Sequence, residues 1–201
     1  EGSFGPHPAI GFVPSDQEAL LFIDRKNKTE FFLDEISTET NHAEIEFSAK
    51  DDLDSFLKQV GFPAHGLIVK PKGKIEIVFK GIITRHALGQ AILDSLRASP
   101  NARAILASDM RANFNPTRMR VIKKLGEKLM QALKNFCPNC GTPGFCVSKA
   151  IPGLPCEECN APTRMIREEI WSCVKCDFTQ EKWRSDGLRF AEATYCEFCN
   201  P

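Results

Sequence analysis

Apolar positions along the first two thirds of the chain recur with two different periods. Segments rich in aromatic and branched residues read as strands at Ala19–Asp24, Glu30–Glu35 and Glu44–Phe47. A helix is expected over Asp51–Val60, with Ser48 and Asp51 as its start signals. Two further strands, Gly66–Lys70 and Ile75–Lys80, flank Pro71-Lys72-Gly73-Lys74, a hairpin signal. Thr84 is placed to cap a second helix running to Ala98, and Ala102–Ser108 reads as another strand. The clearest helix comes last. Asn115 suits its N-cap, Pro116 its first position, and Met119, Ile122, Leu125, Leu129 and Leu133 recur at helical spacing. The pattern predicts an α+β or α/β domain over residues 1–135. The chain opens on Glu1-Gly2-Ser3-Phe4-Gly5 without an initiator Met, which reads as the middle of a domain, so an upstream portion is expected.

From residue 136 onward the periodicity gives way to short, turn-rich segments punctuated by cysteine. All nine cysteines lie there, in the final 65 residues. A secreted disulfide scaffold would spread its bridges through the whole domain. Here eight fall into Cys-x-x-Cys pairs: Cys137/Cys140, Cys156/Cys159, Cys173/Cys176 and Cys196/Cys199. Two thiolates at that spacing point at one ion about 2.3 Å away, and two such knuckles complete a tetrahedron. The intervening gaps of 15, 13 and 19 residues fit zinc ribbons. Residues 136–201 are therefore expected to form a small all-β double zinc ribbon holding two Zn2+, in a reducing compartment, the cytoplasm. Cys146 is left over as a free thiol.

Three pairings of the knuckles are open: sequential, nested and crossed. Phe145–Ala150 turning at Pro152-Gly153, and Phe178–Trp183 turning at Ser185-Asp186-Gly187, resemble hairpins inside sequential sites. Thr163–Ser172 has no turn residue and reads as one strand. At roughly 33 Å for ten residues, its ends are too far apart to share an ion. The sequential pairing is favoured on these grounds. In any pairing sulfur fills all four positions at each metal, the mark of structural zinc rather than of chemistry.

Composition, 42% hydrophobic and 26% charged, is that of a globular protein, with no apolar run long enough for a membrane span. The net charge of zero conceals an uneven layout. Residues 1–60 carry −8, residues 61–96 carry +3 and residues 97–134 carry +7. With eight thiolates and two zinc ions the cysteine region stands near −6, a poor grip for nucleic acid.

Chemistry is then sought in the first domain. Ser3-Phe4-Gly5-Pro6-His7-Pro8 reads either as a rigid turn or as an active-site loop, with His7 and Glu1 as candidates. Ser37-Thr38-Glu39-Thr40-Asn41-His42 follows a strand, and His65 and Lys70 flank another. The third stretch, Asp109 to Arg118, enters the last helix. Unpaired N–H groups at a helix start attract anions, and arginine there works against the helix dipole unless an anion is present. Arg111, Asn113, Asn115, Arg118 and Lys70 are the expected anion-binding residues, with Asp109, His65, His7 and Glu1 as catalytic candidates. The competing reading pairs both arginines with the acidic residues 1–60. If the three stretches share one pocket, a ligand-binding and possible hydrolytic role gains. A rival of another class is a non-enzymatic ribbon module that docks protein or nucleic acid through Trp183, Arg184 and Arg189.

The Glu1–Pro8 stretch, Ile23-Asp24-Arg25-Lys26, Ser37–Asn41, Gly61–Gly66, Asp109-Met110-Arg111 with Asn115-Pro116-Thr117-Arg118, and the tail from Cys137-Pro138-Asn139-Cys140-Gly141 to Cys199-Asn200-Pro201 together resemble an uncharacterised bacterial family, a domain of unknown function. The resemblance covers essentially the whole chain. It implies an α/β segment upstream of the Glu-Gly-Ser motif, usually a Gly where Cys146 stands, and no activity. The Glu1-Gly2-Ser3 loop is also similar to the metal-binding stretch of house-cleaning nucleoside triphosphate pyrophosphatases, whose phosphate site lies partly in an upstream half.

Overall fold

A computed structural model of the chain describes residues 1–8, 11–74 and 76–201. In chain order the strands are β1 (Gly2–Pro6), β2 (Pro14–Asp24), β3 (Thr29–Ser37), β4 (Glu44–Ser48), β5 (Leu67–Pro71), β6 (Phe79–Ile82), β7 (Arg103–Ser108), β8 (Cys146–Pro152), β9 (Ile166–Ser172) and β10 (Thr179–Trp183). The helices are α1 (Asp54–Gln59), α2 (Arg85–Ala98) and α3 (Pro116–Lys134). They form three antiparallel sheets, ordered β1-β2-β3, β4-β7-β5-β6 and β10-β9-β8.

Local signals place most elements. Thr84 Oγ1 accepts from Ala87 N–H at 3.2 Å and caps α2. Asn115 Oδ1 accepts from Arg118 N–H at 3.0 Å and caps α3. Helix α1 starts three residues later than its signals suggest. Ser48 and Asp51 close a turn on each other, Asp51 Oδ2 accepting from Ser48 N–H at 2.7 Å, and Asp52 accepts from the Asp54 N–H. The expected strand from Ile75 shortens to Phe79–Ile82, and Ile75 itself lies outside the described residues. Strand β1 occupies the segment read as a turn or loop.

Two compact units emerge, and they interleave in sequence: Glu1–Leu20 with Leu33–Gly126, and Leu21–Phe32 with Glu127–Pro201. The expected fold class, an α+β or α/β domain followed by a small all-β ribbon, is therefore corrected. No parallel sheet forms among the described residues, sheet dominates throughout, and the cysteine-rich unit takes in a β-hairpin end and the last turns of α3. The reason is packing of the hairpin end. Phe22 and Phe31 meet in a tilted contact at 5.0 Å, Phe31 is buried, and a Cβ built on Gly144 would lie 3.1 Å from the Phe31 ring. Strand periodicity marks such a hairpin but not what its tip packs on.

In the first unit one face of the β4-β7-β5-β6 sheet is closed by apolar side chains. Phe47, Leu67, Val69, Ile82, Ala104 and Leu106 pack with Phe56, Leu57 and Val60 around α1 and with Leu88 and Ala91 of α2. Each fully buried side chain of this kind contributes about 1.5–3 kcal/mol. The opposite face stays partly open, and residues one step out of phase line it: Glu44, Ala107 and Ile68 form one cross-strand row.

Candidate functional site

That open face is the floor of a cleft of 390 Å³. Lys80 of β6 joins Glu44, Ala107 and Ile68 on the floor, and Phe4, His42, Asp109, Met110, Arg111 and Arg118 complete the lining. All three polar stretches singled out in the sequence thus reach one cavity. Phe4 of β1 and the His42 ring stack at 6.1 Å, and the Arg118 guanidinium sits 5.0 Å above Phe4.

The charged groups are mostly matched. Asp109, fully buried, accepts from Arg111 Nη2 at 2.6 Å, Arg111 Nε at 3.0 Å and Gly81 N–H at 2.9 Å. Burial opposes its ionisation, yet the hydrogen bonds from Arg111 and Gly81 hold its carboxyl below the usual range. Arg118 donates through Nε to Glu18 Oε1 at 2.5 Å and through Nη1 to the Met110 carbonyl at 2.7 Å. Lys70 pairs with Glu44 at 3.3 Å. Of the pairing held open by the sequence, both arginines with the acidic residues 1–60, only Arg118 with Glu18 forms; Arg111 pairs instead with Asp109, two residues before it. Among the described residues Lys80 and the His42 ring nitrogens have no such partner.

Other expected site residues serve the framework. Asn115, fully buried, caps α3 and donates to Asn41 Oδ1 at 2.8 Å. His65 ties the loop before β5 to α3, its Nε2 2.9 Å from Thr117 Oγ1, and it does not line the cleft. Asn113 lines a separate apolar groove with Phe114 and Met119. His7 closes the β1–β2 turn through its N–H to the Val13 carbonyl at 2.7 Å. Glu1 is exposed, with its amino group 2.9 Å from the Ala19 carbonyl. Sequence reasoning missed Lys80, Asp16 and Glu18. Pro14-Ser15-Asp16-Gln17-Glu18 holds no apolar residue, so nothing marked it as strand. Both acids nevertheless point to one buried side of β2.

The second unit brings the cysteines into two tetrads. Cys137, Cys140, Cys173 and Cys176 form one, Cys156, Cys159, Cys196 and Cys199 the other, each set with all sulfurs within 4.8 Å of one another. This is the crossed pairing, and the sequential preference is corrected. The segment read as a hairpin within the first site is instead strand β8, which pairs with β9 from Cys146↔Ser172 to Pro152↔Ile166. A strand of seven residues spans about 23 Å and carries its two knuckles to opposite ends, as β9 does. Strand β10 returns with Thr179 beside Ser172. Antiparallel alternation then puts the first and third knuckles at one end of the sheet and the second and fourth at the other.

The tetrads fit a tetrahedral ion. Sulfur–sulfur contacts are 3.8 Å for Cys137–Cys176, 3.6 Å for Cys140–Cys173, 3.8 Å for Cys156–Cys199 and 3.5 Å for Cys159–Cys196. Metal–sulfur bonds of about 2.3 Å require edges of about 3.8 Å. Three knuckles close the same way: Gly141, Asn160 and Asn200 donate N–H to the carbonyls of Cys137, Cys156 and Cys196 at 2.9–3.0 Å. At the fourth, Lys175 and Cys176 donate N–H to Cys173 Sγ. The thiols cannot all ionise unaided. The Thr142 hydroxyl draws Cys140 down to about 6, while burial pushes Cys173 up to about 11. Phe145, in tilted contact with Trp171 and Phe178 at 5.8 Å from each, packs the sheet. Cys146 stands outside both tetrads, and burial raises its thiol pKa. Trp183, Arg184 and Arg189 are engaged locally: Trp183 Nε1 donates to the Leu188 carbonyl, Arg184 binds Asp186, and Arg189 stacks on Trp183.

Among the described residues no helix is long and apolar enough to cross a membrane. In comparison with known proteins, the profile of a family described as Domain of unknown function (DUF6671) matches residues 1–201. No curated protein and no solved structure matches the chain.

Proposed function

The chain belongs to the family described as Domain of unknown function (DUF6671), and from that premise we propose that it is a zinc-binding protein whose cleft takes a small anionic ligand. The two tetrads hold structural zinc. Four sulfur ligands leave no open position for water or substrate, and the low hydration cost of a thiolate set favours zinc over oxygen-seeking cations. The metals brace the cysteine unit, and ligand chemistry belongs to the cleft.

The observation that carries the cleft reading is convergence. Phe4, His42 and the Asp109–Arg118 stretch come from three distant segments and line one cavity with Lys80. The anion-binding role moves from the α3 start, where Asn115 and Arg118 have partners, to Lys80, His42 and the outward edge of Arg111. A carboxylate or phosphate fits such a donor set. The test is a thermal-shift and NMR screen with inorganic phosphate, sulfate, nucleotides and phosphorylated metabolites. Stabilisation that disappears in Lys80→Ala with Arg111→Ala supports the reading. No response to any anion sinks it.

A further inference from the structure

Asp16 is a buried acid that the cleft reading leaves unused. It is 1% exposed, and among the described residues no donor reaches either carboxylate oxygen; the side chain it meets is Glu18, another acid. A carboxylate in that setting is tolerated only as a neutral acid or against a counter-charge. Strand β1, which pairs Phe4 across from it, contains no charged residue, and β3, on the other side of β2, carries Glu30, Asp34 and Glu35. The charges acting on it are Glu18, two residues along the same strand face, and Arg118 of α3. Arg118 belongs to both places: it holds Glu18 through Nε and Nη2, and it lines the cleft.

We propose that Asp16 sets the affinity of the cleft for anions through Arg118, the protonated acid favouring binding and the carboxylate opposing it. The inference rests on the reading of the cleft as an anion site. The charge count supports it. Among lining residues and their ion-pair partners, Lys70, Lys80, Arg111 and Arg118 stand against Glu44, Asp109 and Glu18. Ionised Asp16 cancels the remaining positive charge; protonated Asp16 leaves it. In a largely dry setting that difference is felt across the Arg118 guanidinium rather than screened away. Burial, and then Glu18, push Asp16 up to about 6 against the pull of Arg118, so the change falls within an accessible pH range.

Sulfate is the probe, since it stays a dianion throughout the range, and backbone amide shifts of the full chain report its binding. Wild-type protein should bind it about fivefold more tightly near pH 5 than near pH 8. The Asp16→Asn variant should bind with the acid-form affinity at both. Both chains are compared in a His42→Gln background, which weakens binding overall but removes the imidazole donor and leaves Asp16 as the group that differs. A pH slope that survives Asp16→Asn in that background overturns the proposal. Should that variant not fold, the carboxyl carbon of Asp16 in the wild type reads the same coupling, because linkage requires sulfate to raise its titration midpoint. An unmoved midpoint with sulfate bound overturns the proposal equally. Absence of sulfate binding at every pH instead removes the anion cleft itself, and this inference with it.

Discussion

Asn115 Nδ2 donates a hydrogen bond to Asn41 Oδ1 at 2.8 Å, across 74 residues of sequence. The same side chain caps α3 through Oδ1, so one buried amide both starts the helix and pins the loop after β3 beside it. Asn115→Ala should cost about 2–3 kcal/mol in denaturant unfolding, more than a cap alone, because Asn41 also loses its donor. Asn115→Asp keeps the cap oxygen and should recover about half. Equal losses for the two variants would show that the bridge to Asn41, not the cap, is what matters.

Gly2 faces Glu18 across the β1–β2 pair. A Cβ there would lie 2.5 Å from Glu18 Oε1 and 2.6 Å from Arg118 Nη2, so Gly2 keeps space open for a buried ion pair. Gly2→Ala should destabilise by about 1–3 kcal/mol, since one or both charged groups must give way. The loss should be smaller in a Glu18→Gln background. A stability unchanged from wild type would mean the pair shifts freely.

Asp16 makes stability depend on pH in a stated direction. Its carboxyl is raised from 3.8 to about 6 by burial and by Glu18. The fold prefers the neutral acid, so this contribution is complete below about pH 4 and is lost as pH rises through about 6. Asp16→Asn should match wild type near pH 4 and exceed it by about 2 kcal/mol near pH 8, with solvent screening allowed for. Parallel stability curves for the two proteins would count against a buried, raised Asp16.

Crossed tetrads predict which cysteine losses coincide. Metal analysis of intact protein should find two zinc ions per chain, and Cys146→Ser should retain both. Cys140→Ser and Cys173→Ser should each remove one zinc, and the double variant no more than one, because both residues serve the same tetrad. Cys140→Ser with Cys156→Ser should remove both. Under sequential pairing the last two results would exchange places.

The residues that announced themselves in the sequence were those whose role is local. Thr84 and Asn115 are caps, and a cap is legible because its partners lie three residues away. The Cys-x-x-Cys knuckles are legible for the same reason. Ser48 and Asp51 were also read locally, but they closed a turn of their own and delayed α1 to Asp54. Asp16 and Glu18 left no trace, since the first five residues of β2, Pro14–Glu18, carry no periodic apolar signal. Arg111 and Arg118 were singled out as anion-binding residues. The partner of Arg118, Glu18, lies one hundred residues away and has no local signal; Asp109, two residues from Arg111, was read as a catalytic candidate instead of as its partner.

By itself the sequence determined the caps, most strand and helix positions, and eight cysteines paired into knuckles, all consequences of short-range geometry. Tertiary structure decided which knuckles share an ion, what the β2–β3 hairpin end packs against, and which groups line the cleft. Those depend on how strands of given length return antiparallel to one another, and strand order is a property of the packed sheets that no local spacing encodes.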